Sequence, residues 1–207
     1  MKKTLLIKMV VVLLSISTTL SAQSWNEVMK TVASDRAEVE EYYGWSVSIS
    51  GHFAIVGAYW DEEDANGENT LYQAGSAYIL EKDENGYWNQ VQKIVASDRE
   101  ENDKFGNAVS IFGNYAIVGA YYESEDAAGE NTLAAAGSAY IFERNGSGVW
   151  SQVQKIVASD RFNNNKFGHS VDISGDYAVV GAINNGGNAK FGAAYIFKKD
   201  NSFVMFV

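Results

Sequence analysis

The chain has 207 residues, a net charge of −10, 46% apolar and 20% charged side chains, and neither cysteine nor proline, where average usage would give about ten prolines. Without cysteine there is no disulfide, thiolate metal site, cysteine nucleophile or lipoprotein anchor. Without proline there is no Pro-rich linker or collagen-like segment, and the apolar content excludes a disordered chain.

Residues 1–22 differ from all that follows. Lys2, Lys3 and Lys8 give a positive start, Met9–Ile16 is a short apolar run, and Ser17–Ala22 is small and polar, ending ahead of Gln23. This is the layout of a secretory signal peptide cleaved after Ala22, and the run is well short of the roughly 20 residues of a membrane helix. The mature chain, 23–207, is therefore expected to be secreted or held at the cell surface, with no membrane insertion. Losing three lysines takes its charge from −10 to −13, which argues against nucleic acid as a partner, because phosphate would be repelled.

Trp25–Val32 has the sequence of a strand and leads into Ala33-Ser34-Asp35-Arg36. Ser46–Ser50 alternates, with Val47 and Ile49 on one face. Gly51-His52 reads as a two-residue hairpin turn before Phe53–Ala58, a nearly continuous apolar run suited to burial on both faces. The loop Tyr59–Ala74 follows, then a third strand, Ser76–Lys82, and a fourth, Trp88–Val95. Helical periodicity is sustained nowhere in the mature chain.

The same order then returns. Ala33–Arg36 recurs at Ala96–Arg99 and Ala158–Arg161, and Val56-Gly57-Ala58 at Val118–Ala120 and Val180–Ala182. Gly75-Ser76-Ala77-Tyr78-Ile79 recurs at Gly137–Ile141 and, as Gly-Ala-Ala-Tyr-Ile, at Gly192–Ile196. Residues 44–99 and 106–161 are identical at 38 of 56 positions. The repeats cover approximately 43–99, 105–161 and 167–207, with 25–32 as a leading fourth strand. Four-stranded antiparallel units in tandem, each of about 62 residues, are what propeller blades are made of, so the fold class is all-β.

Tyr43-Gly44, Phe105-Gly106 and Phe167-Gly168 open the units and Val-Gly-Ala closes each second strand. These motifs resemble the FG-GAP repeat of integrin-α-like β-propellers, nearest to the bacterial variety with a fourth-strand Trp, an Ala-Ser-Asp linker and a Gly-Ser-Ala-Tyr third strand. The resemblance covers roughly Trp25–Lys198. Two departures matter. The proline of the motif name is Tyr59, Tyr121 and Ile183 here. Many members also carry an Asp/Asn-rich calcium loop between the first two strands, where this chain has only two-residue turns, too short for six to eight oxygen ligands. No cofactor is expected, and calcium enters only as a loose site of loop carboxylates and amides.

Three blades are fewer than the usual four to eight. The sequence leaves three readings open: a homodimer closing a six-bladed ring, each N-terminal strand completing the partner's last blade; a truncated fragment of a longer FG-GAP protein without independent function; or an open arc with capped ends. The apolar tail Ser202–Val207, in place of the expected Trp, Gln, Val and Lys, favours truncation.

Positions repeated in every copy are read as structural: Trp25, Trp88 and Trp150, the Asp-Arg linkers, and Tyr78, Tyr140 and Tyr195. His52 shares a turn slot with Asn114 and Asp176, and His169 shares its slot with Trp45 and Asn107. No nucleophile elbow, zinc-protease helix or phosphate loop occurs, so no catalytic or metal residue is assigned. Candidate ligand-binding residues are Asp61, Glu63 and Asp64 of one acidic loop, Glu123, Glu125 and Asp126 of the next, and the single-copy Trp45 and Trp60, which could stack on a sugar or a partner side chain. The expected function is an exported, non-enzymatic module for protein or glycan binding or adhesion. The alternative is a carbohydrate-active or enzyme-associated propeller using loop carboxylates.

Overall fold

The computed structural model describes residues 24–35, 41–185 and 191–200. The signal segment 1–22, Arg36, Gly186–Asn188 of the third loop and the tail Ser202–Val207 lie outside these described residues. The chain divides into two units, Met1–Lys30 and Thr31–Val207. Residues 24–33 carry no strand, which corrects the expectation over Trp25–Val32. A lone extended segment is held as a strand only by a ladder to a neighbour.

The second unit holds eleven strands and no helix among the described residues. Blade 1 comprises β1 (Ser46–Ser50), β2 (Phe53–Ala58), β3 (Ser76–Lys82) and β4 (Trp88–Ile94). Blade 2 comprises β5 (Phe105–Phe112), β6 (Tyr115–Ala120), β7 (Ser138–Arg144) and β8 (Trp150–Ile156). Blade 3 comprises β9 (Phe167–Ser174), β10 (Tyr177–Asn185) and β11 (Phe191–Lys198). Each sheet is an antiparallel meander in sequence order, with four, four and three strands, so the third repeat lacks its fourth among the described residues.

Local chemistry sets each hairpin. Ser50 pairs with Phe53 across Gly51-His52, and Gly51 has φ 59°, the left-handed value that the first position of a type II′ turn demands. β3 and β4 slip register between Ile79 and Leu80, and β7 and β8 slip between Ile141 and Phe142. These bulges at one repeat position leave Val91 and Val153 without a ladder partner and increase the local twist.

Blades join through backbone contacts that only glycine permits. A Cβ on Gly57 would sit 2.0 Å from the Gly106 carbonyl oxygen, and one on Gly106 2.1 Å from that of Ser76. Phe105 donates its amide to Ala74 O at 2.9 Å and sends its ring into the junction, edge-on to Tyr140 and Phe142. The Phe-Gly and Val-Gly-Ala motifs are thus two sides of one seam. Around it Ile55, Ile79 and Ile94 of blade 1 pack with Val109, Ile111 and Trp150 of blade 2. Each such side chain contributes about 1.5–3 kcal/mol when buried. Ile117 and Ile156 repeat this against Ile173 and Val180 of blade 3.

Candidate ligand-binding face

The loops after β2 and β6 and the linkers after β4 and β8 gather at one end of the blades. Within the first loop, Asp64 Oδ1 accepts from the amides of Asn66 (2.8 Å) and Glu68 (3.0 Å), and Oδ2 accepts from Asn69 Nδ2 (2.6 Å). Asp126 repeats this with Ala128, Glu130 and Asn131. The amide of Glu68, then Asn69 and Asn66, hold the Asp64 pKa down at about 2. Asn131 and the Glu130 amide likewise lower that of Asp126. Both carboxylates therefore organise their own loops as Asx turns do.

The linkers clamp these loops from the next blade. Arg99 donates to Glu62 O (2.9 Å) and Asn69 O (3.1 Å), and Arg161 donates to Ser124 O (2.7 Å) and Asn131 O (3.0 Å). The Asp-Arg pairs thus tie one blade to another, as their recurrence suggests.

Asp61 and Glu123, expected at the surface, lie 1% and 2% exposed in two equivalent polar nests. Asp61 Oδ2 accepts from Ser76 Oγ (2.5 Å) and the Tyr78 hydroxyl (2.7 Å), and Lys93 Nζ bridges it at 2.8 Å to Asp35 at 2.7 Å. In blade 2, Lys155 Nζ bridges Asp98 (2.7 Å) and Glu123 (3.1 Å), while Ser138 Oγ donates to Glu123 (2.5 Å). Burial disfavours the Lys93 ammonium, but its bonds to Asp35 and Asp61 outweigh this and keep its pKa above the ordinary lysine value. Burial pushes Glu123 up, against the hydrogen bonds from Ser138 and the Glu125 amide. Lysines on the fourth strands thus take the two acids out of the face: a buried carboxylate needs a cation and donors, and both converge here. Nearby, burial raises Asp103 to about 8, against the Glu100 amide bond and helped by the charges of Glu123, Glu100 and Asp98.

Glu63 and Glu125 stay at least partly exposed on the loops. Trp45 and Trp60 come together. Trp45 lies 4.6 Å from Tyr59 and 6.2 Å from Tyr42, and Tyr42 lies 4.8 Å from Trp60, centroid to centroid. The Lys104 ammonium sits 5.0 Å from the Trp60 ring, within cation–π range. The next blade has a smaller version: Tyr121 packs on Tyr122 (4.7 Å) and on His169 (5.5 Å), with Lys166 4.9 Å from the Tyr122 ring.

Tyr42, Lys104 and Lys166 occupy one repeat slot and were not among the candidates read from the sequence. All three are left-handed, with φ of 53°, 62° and 55°. Each accepts a tight-turn bond from the residue three positions on, Trp45, Asn107 or His169. A non-glycine residue there costs about 1–2 kcal/mol, and these side chains are the ones turned onto the aromatic rings. The signal available in sequence was alignment of the three linkers, which puts a large side chain before every Tyr-Gly or Phe-Gly. Among the described residues no three His, Asp or Glu side chains converge as a metal site requires.

No curated protein matches the chain. The family description "FG-GAP repeat" matches residues 25–80, 88–142 and 150–197, more than half of the sequence. Each match starts on a repeated tryptophan, Trp25, Trp88 or Trp150, and ends within a third strand, so it spans the Phe-Gly and Val-Gly-Ala seam seen between blades. The chain belongs to the FG-GAP repeat family, and its sheets are blades of a β-propeller module.

Proposed function

We propose that this is an exported, non-enzymatic binding module, acting in adhesion at the cell surface, whose loop face holds a protein or glycan ligand. The observation that carries the reading is the cluster of Tyr42, Trp45, Tyr59 and Trp60 beside Lys104, with Trp45 58% exposed although Tyr42 and Tyr59 both pack on it. Clustered aromatic rings on a rigid scaffold offer broad apolar contact at low entropic cost, and the flanking Glu63 and Glu125 add polar contacts at the rim. The N-terminal leader supports export, and the acidic charge argues against phosphate-rich partners.

Titration of tryptophan fluorescence against cell-surface polysaccharide and surface-protein fractions tests it. Trp45→Ala is expected to weaken binding by roughly tenfold or more while thermal unfolding stays unchanged, because the ring is mostly in solvent. Binding that survives Trp45→Ala combined with Glu63→Ala and Glu125→Ala would overturn the assignment of this face.

A further inference from the structure

Among the described residues blade 3 ends at β11, which has β10 as its one neighbouring strand. The fourth strands of blades 1 and 2 show what such a strand supplies. Trp150 packs edge-on to Phe53 of the preceding blade at 5.5 Å. Its amide donates to Gln92 Oε1 (2.9 Å), and Gln92 Nε2 donates back to its carbonyl (2.7 Å). Gln152 clasps Ser97 by accepting from its amide (3.0 Å) and donating to its hydroxyl (2.9 Å). Lys155 then enters the carboxylate nest.

Each receiving position recurs at blade 3. Between blades 2 and 3 a groove of about 360 Å³ is lined by Tyr115, in the slot of Phe53, with Ile141, Ile156 and Phe197, and by Gln154 in the slot of Gln92. Ser159 stands exposed in the slot of Ser97. Asp160 accepts from the Tyr195 hydroxyl at 2.6 Å, but blade 3 has no fourth strand among the described residues to bring a lysine.

Trp25-Asn26-Glu27-Val28-Met29-Lys30 carries the tryptophan and the lysine at the spacing of Trp88–Lys93 and Trp150–Lys155, with Glu27 in the glutamine slot, where its carboxylate can accept from both the amide and the hydroxyl of Ser159. Trp25 is 96% exposed, whereas Trp150 is 2% exposed. The terminal faces of the unit match as well. Val47 and Ile49 are exposed on β1 where Val109 and Ile111 are buried, and Val179 and Ile196 are exposed where Ile55 and Ile79 are buried. These are the two halves of the seam already described.

We propose that Trp25–Val32 of a second copy adds to β11 and completes blade 3, with Trp25 in the Tyr115 groove, Glu27 on Ser159 and Lys30 between Asp160 and Tyr195. The occupant is a second copy because Asp35 is bonded to Lys93 and Tyr78 of blade 1 and Thr31 to Tyr43. For the segment to reach β11 of its own copy, the three described blades would have to close on themselves, below the four to eight of propellers. Two sets of these blades give six, and a head-to-tail contact that closes forms a ring rather than a fibre. Carrying over the register of β3 and β4 sets Lys30 opposite Tyr195 and Thr31 opposite Ala194.

Light scattering on the full chain, with a cysteine pair as reporter, tests this. The expected mass is a concentration-dependent dimer, and Trp25→Ala, at a residue already in solvent, raises its dissociation constant by roughly thirtyfold or more. Lys30→Glu weakens it too, and adding Asp160→Lys restores it. Because the chain has no cysteine, Thr31→Cys with Ala194→Cys should give a covalent dimer on a non-reducing gel. A monomer at high micromolar concentration, a dimer indifferent to Trp25→Ala, or a disulfide closed within one chain would each overturn the proposal.

Discussion

Blades 2 and 3 start from nearly the same strand sequences, yet blade 2 buries Glu123, Lys155 and Tyr140 together while the described residues of blade 3 keep the Asp160–Tyr195 bond, with Tyr195 partly exposed. Their first three strands form the same meander with the same two-residue turns. The hairpins are therefore local products of each repeat, whereas the polar nest and the apolar seam depend on what the neighbouring repeat supplies.

The sharpest way to break this comparison is to add one methyl group to equivalent glycines. A Cβ on Gly119 would lie 2.0 Å from the Gly168 carbonyl oxygen, which is backbone of the next blade, whereas one on Gly181 meets only the Ser170 hydroxyl at 2.3 Å. Gly119→Ala is expected to destabilise by about 4 kcal/mol, lowering the melting temperature by roughly 8–16 °C. In dilute, monomeric protein Gly181→Ala should cost less than about 1 kcal/mol, because the serine can rotate. Circular dichroism melts compare the two, and equal losses would mean that the seam is not what constrains the glycine.

Removing the cation of the nest is next in size. Lys155→Met leaves Glu123 buried beside Asp98 with no positive partner, at an expected cost of about 3 kcal/mol in urea unfolding. Adding Glu123→Gln should recover part of that loss. Absence of any recovery would show that lysine packing rather than charge carries the effect.

Asp103 tests the comparison by pH. Its folded pKa of about 8 stands above the ordinary aspartate value of 3.8. Between those values the native state holds a proton that the unfolded chain has released, so stability falls as pH rises through that window. The equivalent residue of the third repeat is Asn165, also buried. Asp103→Asn is therefore expected to stabilise by about 1–2 kcal/mol at pH 8, with the gain vanishing near pH 4. A gain independent of pH would contradict the linkage.

The smallest expected effect is that of a chelator. Asp64 and Asp126 spend their oxygens on their own loops, so EDTA should leave the melting temperature where it was. A fall on chelation would restore calcium to these loops.

The strands were legible because each is bracketed by Gly, Asn or Asp turns and confirmed by its copies. The bounds expected for Ser46–Ser50, Phe53–Ala58 and Ser76–Lys82 are the observed ones, and the fourth ends one residue earlier. The acidic loops were legible as loops but not as a site. Asp61 stands in a run of carboxylates that reads as solvated, and the lysine that draws it inward is two strands further on. The left-handed turn at Tyr42, Lys104 and Lys166 was hidden for another reason: glycine is the residue that advertises such a conformation, and here Tyr and Lys adopt it. Trp45 and Trp60 were found as single copies, but only the fold brings them around Tyr42.

The bond between Lys93 and Asp35 joins positions 58 residues apart. It has a consequence in time as well as in space. A ribosome adding about 5–20 residues per second exposes the aspartate some 3–12 s before its lysine has been made. Each linker carboxylate thus stays in water until the blade that will enclose it has been translated. The two four-stranded blades each close on a linker made before them, Asp35 through Lys93 and Asp98 through Lys155.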